Sequence, residues 1–146
     1  MTDTKTNTDQ IEFWNGKAGR KWAEFQQALD AMMDPLGLQA IQRANLSGGD
    51  HVLDVGCGCG STSIQLSTLA AAVTGVDISG PMLEVARSRA TGSSVRFQLA
   101  DAAVTPFPPD SFDLIFSRFG VMFFADAVAA FSNLRSSLKE LGRLCF

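Results

Sequence analysis

The chain has no tyrosine, one histidine and only three cysteines in 146 residues. Few side chains are therefore available for proton transfer near neutral pH. The lone histidine, His51, begins an apolar run and lies away from the glycines that follow it, so it is set aside as a catalytic group. Cys57 and Cys59 make a CxC pair without the second pair that a zinc site needs, and with Cys145 they cannot build a disulfide framework. They read as reduced packing residues, and no metal site is expected. No apolar run is long enough to cross a bilayer, and the polar start MTDTKTNTDQ lacks the apolar core of a secretory leader. A cytoplasmic protein with no membrane partner is the expectation. A net charge of −3 offers no basic stripe to a phosphate backbone, so a nucleic-acid partner is not expected either.

What is present is concentrated in VLDVGCGCGSTS, residues 52–63, where Gly56, Gly58 and Gly60 follow an apolar run at once. A strand, a glycine-rich turn that lets backbone approach a ligand, and a helix start make the first half of a nucleotide-binding βαβ unit. The spacing is GxGxG, with Ser61 where the third glycine of the dinucleotide fingerprint GxGxxG would stand, and this points away from NAD. Asp77 closes the next apolar run, VTGVD, 21 residues beyond Gly56, where a carboxylate can accept from both hydroxyls of a ribose. VRFQLAD at 95–101 and SFDLIFS at 111–117 read as third and fourth strands, the latter after the turn-forming PFPPD.

Helical spacing marks the segments between and around these strands. Ile11, Trp14, Ala18, Trp22, Phe25 and Leu29 predict an amphipathic helix interrupted near Asn15 and Gly16. Asp34 and Pro35 read as the start of a second helix running toward Asn45. Met82, Val85 and Ala86 give the buried face of a helix starting near Pro81, with Met82 serving as both core and pocket wall. Val128, Phe131, Leu134, Leu138 and Leu141 predict a helix entered at Asp126 and ended at Gly142, leading into a fifth strand at RLCF. Alternating strands and helices predict an α/β protein with a parallel doubly wound sheet, and length and 46% hydrophobic content suit one domain over 1–146.

On VLDVGCGCG, GVDISGPMLEVAR, the LAD of residues 99–101 and FDLIFSRFGVMFF, the chain resembles the class I S-adenosylmethionine-dependent methyltransferases, and most closely their type 11 group. The resemblance implies a Rossmann-like sheet of order 3-2-1-4-5, a helical cap over residues 1–47 and a core over 51–146. The family's sheet has two further strands that are missing here, so a fragment or a chain completed by a partner is expected, with self-association through the exposed sheet edge. The resemblance implies S-adenosylmethionine as cofactor, with Gly56, Cys57, Gly58 and Gly60 around its methionine end and Asp54 near the amino group. Asp77 would hold the ribose hydroxyls, Ile78 and Met82 would pack on the adenine, and Asp101, beside Ala102, would accept from the exocyclic amine. Ser117 would begin the loop facing the sulfonium. The implied reaction is methyl transfer to a small-molecule acceptor by direct displacement, with Arg118 binding an anionic substrate and Phe119, Met122 and Phe123 lining an apolar pocket. Arg118 paired to a surface acid, with the aromatic run as core, is the competing reading. A cofactor-binding fragment that needs a partner or more chain to act is the alternative to an enzyme. Both stay open on the sequence alone.

Overall fold

Residues 51–55, HVLDV, combine β-branched and apolar side chains and end where the glycines begin; they form β1 (His51–Val55) at the centre of the sheet. A computed structural model describes residues 7–146; most of the polar N-terminal stretch read as carrying no leader lies outside the described residues. The other strands are β2 (Ala72–Asp77), β3 (Val95–Leu99), β4 (Phe112–Phe116) and β5 (Leu138–Cys145), and all pair in parallel in the order β3-β2-β1-β4-β5. The expected topology is thus the observed one. Three helices precede the sheet: α1 (Thr8–Asn15), α2 (Lys17–Glu24) and α3 (Gln26–Arg43). Crossovers are made by α4 (Ser61–Ser67), α5 (Gly80–Arg89) and α6 (Ala127–Ser137).

Both faces of the sheet are covered. Leu53, Val55 and Ile115 pack with Phe107, Phe112 and Leu134 of α6 on one side. Val52, Leu114 and Phe116 pack with Ile41 and Ala44 at the end of α3 and Leu66 of α4 on the other. Alternate residues of one strand thus serve opposite layers.

The helical prefix breaks at Gly16, as its spacing predicts, but α3 runs through Pro35 without stopping. A proline removes one helical hydrogen bond, and the two turns on either side carry the helix past it. Asp34 is consequently mid-helix rather than a cap. The last helix also differs from expectation. It stops at Ser137, and Leu138 is already extended at φ −76 and ψ 140, paired to Phe112 in the sheet. Hydroxyls of Ser136 and Ser137 donate to carbonyls three residues back, Asn133 and Leu134, and compete with continuation of the helix. Leu138 is therefore a strand residue in the core, while Leu141 is 90% exposed and Val128 faces solvent. Gly142 lies inside β5 at an irregularity in the β4 pairing, where an added Cβ would come within 2.8 Å of the Leu138 side chain.

His51 stands at the opposite end of β1 from the glycines, its amide donating to Asp113, which Lys139 also meets at 2.9 Å. Leu53 is fully buried between the central strand and α6. Leu53→Ala is expected to lower unfolding free energy by about 2–5 kcal/mol, read as a shift of the urea midpoint at unchanged slope.

Candidate cofactor site

The ends of β1 and β4 are locked together by two glycines. Gly56, at φ +71, has its would-be Cβ 2.6 Å from Gly120 Cα, and a Cβ on Gly120 would lie 2.5 Å from the Val55 carbonyl oxygen and 2.8 Å from Gly56 Cα. Neither position admits a side chain. Ser117 secures the crossing, donating its hydroxyl to Val55 O at 2.8 Å and accepting from the amides of Gly120 and Val121. Its side chain is buried and spent on this task, so Ser117 shapes the loop rather than facing a ligand.

The glycine loop is tied to β2 as well. Amides of Gly56 and Cys57 donate to Val76 O, and the Gly58 amide donates to Asp77 Oδ2 at 2.8 Å. Asp77 Oδ1 accepts from the Ser79 amide at 2.8 Å. Burial pushes the Asp77 carboxyl above its ordinary value, and these amides hold it down. Gly60 serves packing: a Cβ there would meet Ala86 and Phe97 at 3.0 Å.

Asp54 lies behind the loop, wholly buried. Its Oδ2 accepts from Thr62 Oγ1 at 2.7 Å and Ser63 Oγ at 2.6 Å, whereas Oδ1 has no partner among the described residues. Burial pushes its pKa up to about 6, against the pull of the two hydroxyls and of Arg118. An unpaired buried carboxylate oxygen is costly unless a donor from outside completes it.

These elements wall one cavity. It is lined by Gly56, Cys57, Gly58, Asp77, Ile78 and Met82 on the sheet side, with Asp101 and Ala102 after β3 and Arg118, Phe119 and Phe123 after β4. The helical prefix closes it with Trp14, Trp22, Leu29 and Asp30. Trp14 meets Trp22 edge-on at 5.7 Å and Phe123 at 5.5 Å. Both tryptophans are thus cavity wall, and Met82 is core and wall together, as its spacing suggested. Four of the named residues stand elsewhere: Met122 is 68% exposed and outside the lining, Asp54 is behind it, Gly60 is beneath α5, and Ser117 is buried at the crossing of the two loops. Arg118 reaches the cavity but is also paired, its Nη1 donating to Asp34 Oδ1 at 3.0 Å beside the Ser61 hydroxyl.

Sequence reasoning missed Asn7. This buried amide donates to Asp101 Oδ1 at 2.9 Å and accepts from the Ala125 amide at 2.7 Å, fixing the prefix to two rim loops. Asn15 does the same at the β2–α5 turn, donating to Ile78 O and accepting from the Gly80 amide. Nothing local distinguishes these asparagines from capping residues. The hydroxyls after the glycines, Thr62 and Ser63, were legible as a helix start but not as partners of Asp54. Gly120→Ala is expected to destabilise the protein by about 1–3 kcal/mol by forcing the two loops apart, whereas Gly48→Ala, with nothing within 4 Å, leaves the melting temperature nearly unchanged.

Comparison with known proteins gives the arrangement its family. A family model described as a methyltransferase domain matches residues 52–142. An uncharacterized methyltransferase of Bacillus subtilis, YcgJ, is 38% identical over 75% of this chain and 44% of its own length; its crystal structure superposes with a TM-score of 0.69, over 47% of that chain. An aklanonic acid methyltransferase of a Streptomyces species is 33% identical over 77% of this chain and 54% of its own length. A Haemonchus contortus phosphoethanolamine N-methyltransferase, solved with phosphomonomethylethanolamine and S-adenosylhomocysteine, is 31% identical with a TM-score of 0.72, over 75% of this chain and 27% of that one. The chain spans about half the length of the curated relatives it matches. The family match, together with a β3-β2-β1-β4-β5 parallel sheet whose first loop is GxGxG, makes the chain a member of the methyltransferase domain family, within the class I S-adenosylmethionine-dependent methyltransferases.

Proposed function

We propose that the cavity binds S-adenosylmethionine and that the protein transfers its methyl group to a small-molecule acceptor. The observation that carries this reading is the convergence of the Gly56–Gly58 loop, Asp77 and Asp101 on one cavity at the carboxyl ends of parallel strands. The residues fit such a ligand: a loop that admits no side chain at Gly56, an aspartate held open at the neighbouring strand end, and a buried acceptor oxygen on Asp54 that lacks a donor. Residues 7–146 then act as one binding domain, with α1–α3 as its cap.

When bound, S-adenosylmethionine supplies both the methyl group and its own leaving group, a neutral thioether. The chain's part is to bind, align and exclude water. Each Asp77 oxygen accepts one backbone amide and keeps capacity for a ribose hydroxyl. Ile78 and Met82 give the adenine an apolar wall, beside Ala102 and Asp101, whose Oδ1 is shared by Asn7 and the Ala103 amide while Oδ2 accepts no hydrogen bond among the described residues. Asp54, buried behind the loop, attracts the ammonium of the methionine end through its charge. Phe119, Phe123 and Trp14 offer the acceptor an apolar, aromatic surface. Alignment alone supplies large accelerations, with effective molarities of ~10⁵ M for well-oriented groups. The small-molecule reading is supported by the aklanonic acid and phosphoethanolamine relatives and by the lack of a basic stripe.

A second reading follows from the chain spanning only about half of its relatives: a cofactor-binding unit whose acceptor side is completed by further chain or a partner. Calorimetric titration with S-adenosylmethionine, S-adenosylhomocysteine and NAD tests the cofactor. Binding of the first two alone supports it, and no binding by a folded sample refutes it. A panel of acceptors then separates the two readings. Asp77→Ala is expected to cost about 1–3 kcal/mol of cofactor affinity, from the lost acceptor; an unchanged dissociation constant contradicts the ribose role.

The raised Asp54 pKa gives a pH dependence with a definite sign. In the empty protein the neutral carboxyl is favoured below about 6, while a ligand ammonium favours the ionised form. Asp77 raises the Asp54 pKa through its charge, and Arg118 with the Thr62 and Ser63 hydroxyls lowers it. Affinity is therefore expected to fall as pH drops through about 6, with a proton released on binding in that window; calorimetry in buffers of different ionisation enthalpy reads both.

A further inference from the structure

We propose that Arg118 receives the carboxylate of the cofactor's methionine end, and so is a cofactor residue rather than the anchor of an anionic acceptor. The inference rests on the S-adenosylmethionine reading of the cavity and adds a residue role to it.

Three observations lead there. First, Arg118 is the only cationic side chain lining the cavity among the described residues, whereas Asp30, Asp77 and Asp101 also line it. A bound carboxylate has no other full positive charge to meet. Second, the guanidinium sits at the loop end of the cavity. Gly37 of α3 makes room for it: a Cβ there would be 3.2 Å from both Cδ and Nη1 of Arg118 and 3.5 Å from Thr62 Cγ2. Thr62 in turn donates to Asp54, and the Arg118 charge is felt at Asp54. A cation and a buried carboxylate thus adjoin at the same end, which suits a ligand carrying both ammonium and carboxylate. Third, the side chain is held but not used up. Its side chain is 14% exposed, and Nη1 donates to Asp34 Oδ1. No hydrogen bond engages Nη2 or Nε among the described residues. A planar guanidinium fixed at one nitrogen keeps donors in a set direction for a second carboxylate.

Asp34, itself held by Ser61, therefore acts as a positioning residue that fixes the guanidinium in place. The aromatic residues that follow, Phe119 and Phe123, leave the acceptor side without charge from this loop.

The test is calorimetry of the wild-type chain, R118A and R118K with S-adenosylmethionine and with decarboxylated S-adenosylmethionine, melting temperatures being measured on the same samples. The decarboxylated ligand keeps the adenosine, the sulfonium and the ammonium. R118A is expected to weaken S-adenosylmethionine about tenfold or more, the loss of a charged hydrogen bond, and to leave the decarboxylated ligand within about twofold of wild type, a difference too small to carry a charged contact. R118K, which keeps the charge without the fork, falls between. Equal losses for both ligands in R118A and R118K, or no loss for either, overturn the assignment while the cofactor reading stands. If the folded wild-type chain binds neither adenosyl ligand, the cofactor reading itself falls and takes the assignment with it.

Discussion

Gly56 and Gly120 touch with no room for a Cβ between them, and the loops leaving β1 and β4 are as close as they are only because both residues lack one. Ser117 sets the distance by bonding across the crossing to Val55 O. Everything on the cavity's floor follows from that contact. It sends the chain after β4 over the end of β1, so that Arg118 and Phe119 reach a cavity whose other wall is made by residues of the β1 and β2 loops.

A second constraint is the placement of charge. Asp54, wholly buried, and Asp77, partly buried, stand where neighbouring strands end; burial makes ionisation costly for each, and the Asp77 charge adds to that cost at Asp54. The chain answers with backbone amides at Asp77, hydroxyls at Asp54, and one guanidinium spanning to Asp34. Hydrogen bonds to a carboxylate are worth more where water is excluded, so short side chains in the first turn of α4 suffice. An acidic interior only partly compensated in this way is matched to a ligand that brings positive charge.

How far the site was legible depends on the range of the signal. The glycine loop, Asp77 and Asp101 are written locally, since each lies at the end of an apolar run and the turn chemistry names the ligand end, whereas the strand order rests on the family resemblance and not on any local signal. The prefix helix break at Gly16 was local too. Pro35 misled because proline favours helix starts as well as being tolerated, at a cost, inside a long helix, and only the packing of Ile41 against the sheet shows that α3 is continuous. Leu138 and Leu141 kept helical spacing with Leu134 although the backbone had already turned extended; a period of three or four residues over so short a span fits a strand with an irregularity as well. Asn7, and the pairing of Arg118 with Asp34 across 84 positions, leave no periodicity at all. Arg118 was legible as a pocket residue and as an ion-pair partner, and it is both.

The two sides of the cavity are held shut by different chemistry. On one, Asn7, Asn15 and the Ser79 hydroxyl bind rim to prefix through neutral donors, the Asp101 carboxylate being the one charged acceptor. On the other, α3 is fastened by Asp30 to Arg89 and by Asp34 to Arg118. Dissolved salt weakens attraction between full charges and leaves amide pairs nearly untouched. Ionic strength therefore bears on the two charged ties of α3 and not on the neutral ones at the opposite rim, and the partial burial of both pairs and the packing of Ile41 under the sheet limit how far it reaches.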